Sequence, residues 1–260
     1  MGLPPLEIKR LSPPGGGPFP RVILVHGAMD RAHSFRQMAK LLAPVEVIAY
    51  DRRGYSRSPA APPGFGVLGH VTDLAELVRD RPSVVFGHSI GGTYALALAL
   101  GPERPETLLG VSVFEAPFPD TAWWGGWDAD RAAVARGDFD DEWAAGVARE
   151  FMVRLLGVRG WEALPEQTRR ARLRDGRAFA TEIAQLSEGY LSLPLERLDL
   201  PVQAGVSESS PERHLRGAAR LMDRHSGNYY CVTGAKHDAH LGKPAALAEA
   251  VLQFWRAVKG

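Results

Sequence analysis

Ser83-Val84-Val85-Phe86-Gly87-His88-Ser89-Ile90-Gly91-Gly92 is the stretch on which the fold of this chain turns. The compact run Ser83 to Phe86 reads as a strand buried on both faces. The Ala/Leu-rich segment Gly91 to Leu100 behind it reads as a helix. A serine on the turn between them is held in a strained backbone conformation, and glycines on either side are needed because β-carbons there clash. Such a turn pushes the Ser89 hydroxyl out at the carboxyl end of a sheet. It also aims the Ile90 N–H, at a helix start, toward an oxyanion.

Working outward, further strands are predicted at Leu6 to Leu11, Arg21 to Val25, Val45 to Tyr50, Leu108 to Phe114, Pro201 to Val206 and Tyr229 to Val232. Helical patterns fall between them at Ser34 to Leu42, Val67 to Val78 and Pro244 to Val258, the last opening with proline in its first turn. This alternation predicts an α/β fold, a mostly parallel sheet with helices on both faces. It breaks between Pro117 and Pro194, where helical periodicity appears at Glu142 to Leu156 and at Thr168 to Leu186. Residues 117–194 are therefore expected to form a helical cap, with 1–116 and 195–260 as the core.

The chain has 260 residues, 45% hydrophobic, enough to bury a full-sized core. With 31 basic and 30 acidic residues it has no global field to attract nucleic acid or an acidic membrane. Cys231 is the only cysteine, which excludes an internal disulfide and a cysteine-rich metal site. No apolar run reaches the ~20 residues that span a bilayer, and Met1 to Pro20 lacks a signal-peptide core. A cytoplasmic protein acting on a small molecule is the expectation; oligomeric state is not readable.

Two more loops carry chemistry. His26-Gly27-Ala28-Met29 follows the strand ending at Val25, and its Ala28 N–H is the expected second oxyanion donor. Gly234-Ala235-Lys236-His237-Asp238-Ala239-His240 follows the last strand. His237 is the expected general base, able to take the serine proton near neutral pH and return it to a leaving group. His240 competes, but is expected to pack against the loop. The remaining histidines, apart from His26 and His88, have no motif around them and are read as surface or core residues. Asp51 to Ser58 is read as a structural loop that Asp51 and Arg53 tie to the sheet.

Together, His26-Gly27, the Asp51 to Ser58 loop, the Gly87 to Gly91 turn and the His237 loop, in that order, resemble the α/β-hydrolase superfamily over nearly the whole chain. The family's second loop usually reads D-x-R-G-x-G-x-S; here Ser56 replaces its second glycine. The resemblance implies an esterase-like, bacterial, cap-bearing serine hydrolase with Ser89 as nucleophile, needing no metal or organic cofactor.

A carboxylate between serine and histidine must orient the base and stabilise its imidazolium. In the family it commonly follows about nine residues after the proline that opens the later strand; from Pro201 that position is Ser210. Glu208, in Gly205-Val206-Ser207-Glu208, fits only with a shortened strand. Glu115 ends the preceding strand, and the continuation Pro117-Phe118-Pro119 to Trp123-Trp124 resembles some haloalkane dehalogenases that place a glutamate there. Glu115 is preferred and Glu208 is the alternative. Those dehalogenases use an aspartate nucleophile where this chain has Ser89.

Met29, His88, Phe118, Trp123, Trp124 and Trp127 are the expected substrate contacts, suggesting an apolar or aromatic substrate. Within the family the same triad also supports thioesterases and carbon–carbon bond hydrolases, and some members are receptors or non-hydrolytic enzymes of natural-product pathways. Fold does not choose among these.

Overall fold

The computed structural model describes residues 3–11, 20–62, 64–122, 139–187, 189, 191–224 and 228–259. Strands β1 (Ile8–Arg10), β2 (Arg21–Val25), β3 (Val47–Tyr50), β4 (Ser83–His88), β5 (Leu108–Phe114), β6 (Val202–Ser207) and β7 (Asn228–Val232) form one sheet. Their order is β1-β3-β2-β4-β5-β6-β7. Only β1 is antiparallel, pairing with β3; the other pairs are parallel.

The unbroken apolar strands follow from burial on both faces. In β2, Ile23 and Val25 pack into one cluster with helices α2 (Val67–Arg79) and α3 (Ile90–Leu100). Val22 and Leu24 point the other way, into a cluster with α1 (Arg36–Leu41) and the C-terminal helix (Pro244–Lys259). All four are fully buried.

Between β5 and β6 lie α4 (Asp141–Ala163), α5 (Glu166–Arg174) and α6 (Gly176–Ser187). The continuous helix expected over Thr168 to Leu186 is thus two helices. A β-carbon at Gly176 would lie 2.4 Å from the Ala144 carbonyl oxygen, so a glycine lets α6 begin this close to α4. Helix α4 is itself kinked at Gly157 (φ 73°). A helix that the apolar pattern did not suggest, α7 (Glu212–Arg224), joins β6 to β7. The short α8 (Ala239–Gly242) precedes the C-terminal helix, α9. Among the described residues, no helix is long and apolar enough to cross a membrane.

Candidate active site

The carboxyl ends of the parallel strands are where an open α/β sheet presents a ligand crevice, and here β2, β4, β5, β6 and β7 all end at one place. Ser89 follows β4 with φ 51° and ψ −130°, outside the regions an L-residue prefers. Neighbouring backbone leaves no room for β-carbons. One at Gly87 would lie 2.4 Å from Gly92 Cα, and one at Gly91 would lie 2.4 Å from the Val25 carbonyl oxygen. The Ser89 N–H donates to Phe114 O at 2.9 Å, which ties the turn to the end of β5.

Glu115 leaves β5 with a left-handed φ of 48°. Its Oε2 accepts a hydrogen bond from His237 Nδ1. Its Oε1 accepts from the Ser207 N–H at 3.0 Å and from the hydroxyls of Ser207 and Ser210. Burial alone would raise the carboxyl's pKa, but the His237 bond and charge and the two hydroxyls outweigh it and hold Glu115 below the ordinary carboxylate range. Glu208 instead accepts from the Gly234 N–H at 2.7 Å, on the exposed side of the loop. The position the family usually fills with an acid, Ser210, here donates to the acid on the neighbouring strand.

Histidines surround the base. His88 Nε2 donates to the His237 carbonyl at 2.8 Å. Burial, then the nearby His240 and His237, push His88 well below the ordinary histidine range. His240 is buried and bonds Asp30 Oδ2 at 3.1 Å, as a packing histidine should. His214, on α7, stacks on His237 with ring centroids 5.3 Å apart and 28° between planes. Burial, with His237 beside it, lowers its pKa to about 4. His214 was expected on the surface or in the core; no local motif marks it, because only the packing of α7 brings it to the base.

Glu115, His214 and His237 each bring one potential metal-ligand atom within 4.8 Å of the others, as do Asp30, His88 and His240. In both groups a carboxylate–imidazole hydrogen bond already engages two of the three side chains.

A cavity of about 420 Å³ is bordered by Ser89, Glu115 and His237 together with Ala28 and Ile90. Phe151 and Leu155 of α4, and Ile183 and Leu186 of α6, supply much of its apolar wall. Three expected substrate contacts lie behind that wall. Met29 is buried among Tyr55, Met152 and Trp161, and Phe118 lies in the core under the Arg220 guanidinium. His88 sits beneath His237. Burying these side chains against the sheet leaves the contacts to the helices above. Trp123, Trp124 and Trp127 lie outside the described residues.

Comparison with known proteins agrees with this architecture. Lipase LipV of Mycobacterium tuberculosis is 32% identical over 113 residues, 42% of this chain and 41% of that protein. The uncharacterized hydrolase YraK of Bacillus subtilis is 36% identical over 102 residues, 36% of this chain and 37% of that one. The chain thus matches about two fifths of the length of these relatives. Over the whole fold, an alpha/beta hydrolase from Sphaerobacter thermophilus has a TM-score of 0.69 at 23% identity, covering 96% of each chain. A thermophilic esterase from Thermogutta terrifontis has a TM-score of 0.68 at 21% identity, covering 98% of this chain and 94% of that one. The model of the alpha/beta hydrolase family matches residues 22–250, and the chain belongs to that family.

Proposed function

We propose that the protein is a serine hydrolase that cleaves an ester or related acyl bond of a small, apolar or aromatic substrate through an acyl-enzyme. The observation that carries this is the hydrogen bond from His237 Nδ1 to Glu115 on the wall of the cavity that Ser89 also borders. In this reading Ser89 Oγ attacks the acyl carbon while His237 Nε2 takes its proton, then passes it to the leaving group. Water attacks the acyl-enzyme next, deprotonated by the same nitrogen, and Ser89 is regenerated. Glu115 stabilises the imidazolium in both halves. The N–H groups of Ala28 and Ile90 receive the oxyanion. Residues 117–194 act as a cap whose helices α4 and α6 complete the substrate wall.

Labelling with a fluorophosphonate probe and turnover of short p-nitrophenyl esters test the proposal. A covalent adduct at Ser89, with hydrolysis lost in Ser89→Ala, is expected. Absence of both adduct and turnover overturns it; an adduct without turnover of any ester, thioester or lactone points to a ligand-binding role.

A further inference from the structure

Arg52 is the largest fully buried side chain among the described residues. Its Nη1 donates to Glu182 Oε1 at 2.6 Å, and both side chains are fully buried. The guanidinium lies 4.4 Å from the centre of the Tyr55 ring and 5.2 Å from that of Tyr94. His70 Nε2 reaches the same glutamate oxygen at 2.7 Å. A buried ion pair of this kind is weak evidence for stability, since an apolar pair of like volume often serves as well. What the arginine does with its other nitrogens is more informative.

Arg52 Nε donates to His26 O at 3.2 Å, and Nη2 donates to Gly27 O at 3.2 Å. His26 Nδ1 donates to the same Gly27 oxygen at 2.8 Å, while its Nε2 accepts from the Arg52 N–H at 2.9 Å. The Gly27 carbonyl and the Ala28 N–H belong to one planar trans peptide, in which they point in opposite directions. Two donors on that oxygen therefore set the direction of the Ala28 N–H. One of them carries a full charge, which also polarises the peptide and strengthens its N–H as a donor.

We infer that Glu182 and Arg52 are positioning residues for the oxyanion site. Glu182 holds Arg52, and Arg52 with His26 holds the Gly27–Ala28 peptide with its N–H toward the cavity. Glu182 stands on α6, whose Ile183, Leu186 and Ser187 border the cavity. One helix thus touches the substrate space and carries the counter-ion of the residue that aims the donor. This rests on the assignment of Ala28 as an oxyanion donor in a serine hydrolase.

The test uses the full chain carrying Arg52→Lys, which keeps a charge for Glu182 but loses the guanidinium fork that reaches two carbonyls. With active sites counted by fluorophosphonate titration, kcat for a p-nitrophenyl ester falls about tenfold or more with KM within about twofold, as for loss of an oxyanion contact. The Ki of a trifluoromethyl ketone, whose adduct carries the oxyanion, rises by the same factor. Glu182→Gln moves both quantities in the same direction. If these variants do not fold, the double variant Arg52→Met/Glu182→Leu, which leaves no unpaired charge, is read instead and must show the same split. Unchanged kcat in a folded variant, or a loss in KM alone, overturns the inference. Wild-type protein that neither labels nor hydrolyses overturns the underlying reading rather than this one.

Discussion

The Ser210 hydroxyl donates a hydrogen bond to the Glu115 carboxylate, across from β6 to the end of β5. Ser207 donates to the same oxygen twice, from its N–H and its hydroxyl. The strand that usually supplies the acid in this family therefore supplies donors to an acid carried one strand earlier. The arrangement keeps a carboxylate at the His237 ring while moving the residue that bears it.

Glu115→Gln removes the charge that stabilises the imidazolium. It is expected to lower kcat by about 10³ to 10⁴, the scale of losing an orienting acid in such a triad. Glu208→Gln exchanges only an exposed bond to Gly234 and is expected to leave kcat within about twofold of wild type, the scale of a minor surface change. Steady-state hydrolysis by the two variants, side by side, measures the difference; a loss confined to Glu208→Gln reverses the assignment.

Ser210→Asp puts a second carboxylate within hydrogen-bonding reach of the first. In the wild-type background two like charges so close cannot both ionise, so activity falls and the profile of kcat against pH shifts. In the Glu115→Gln background the new aspartate restores a carboxylate on that side of His237, and about a tenfold recovery over Glu115→Gln alone is expected. No recovery would mean that the β6 position no longer reaches the base.

Stability should fall as pH falls from neutrality. Buried His26 has its pKa lowered to about 3, by burial and then Arg52; His214 is lowered to about 4, and His88 lies well below its ordinary value. Between these values and about 6.5 the unfolded chain binds more protons than the native one, so protonation favours unfolding. His26 and His214 then each cost about 2 kcal/mol on going from about pH 7 to about pH 5, and His88 acts in the same direction. Asp175 acts in the opposite sense: burial raises it to about 6, so it gains its proton in the native state first and offsets about 1 kcal/mol. Thermal melts across this range are expected to show Tm falling with pH, and His214→Asn to flatten the fall. A Tm that rises toward acid would contradict these directions.

Much of the architecture was legible in local patterns. The sheet follows from short apolar runs because strands covered on both faces carry apolar residues on both, as the alternation of Val22 and Leu24 with Ile23 and Val25 shows. Helix α7 escapes a search for apolar runs because its buried positions His214, Ala218 and Leu221 recur at helical spacing among charged residues. The substrate wall was misjudged for a related reason. Met29 and Phe118 stand beside site residues in sequence, but the sheet and the helices above it bury them.

The serine between Gly87 and Gly91 is a property of the sequence by itself. The pattern of the turn is local, as are those of His26-Gly27 and the His237 loop, although the Val25 carbonyl that excludes a β-carbon at Gly91 comes from another strand. Which carboxylate meets His237, which histidine stacks on it, and what aims the Ala28 N–H were decided only by tertiary structure. Glu115 and His237 are 122 residues apart in the chain, and Arg52 and Glu182 are 130 apart. Such pairs are chosen by strand order, by the register at the strand ends and by how α6 and α7 pack, and no local pattern records those distances.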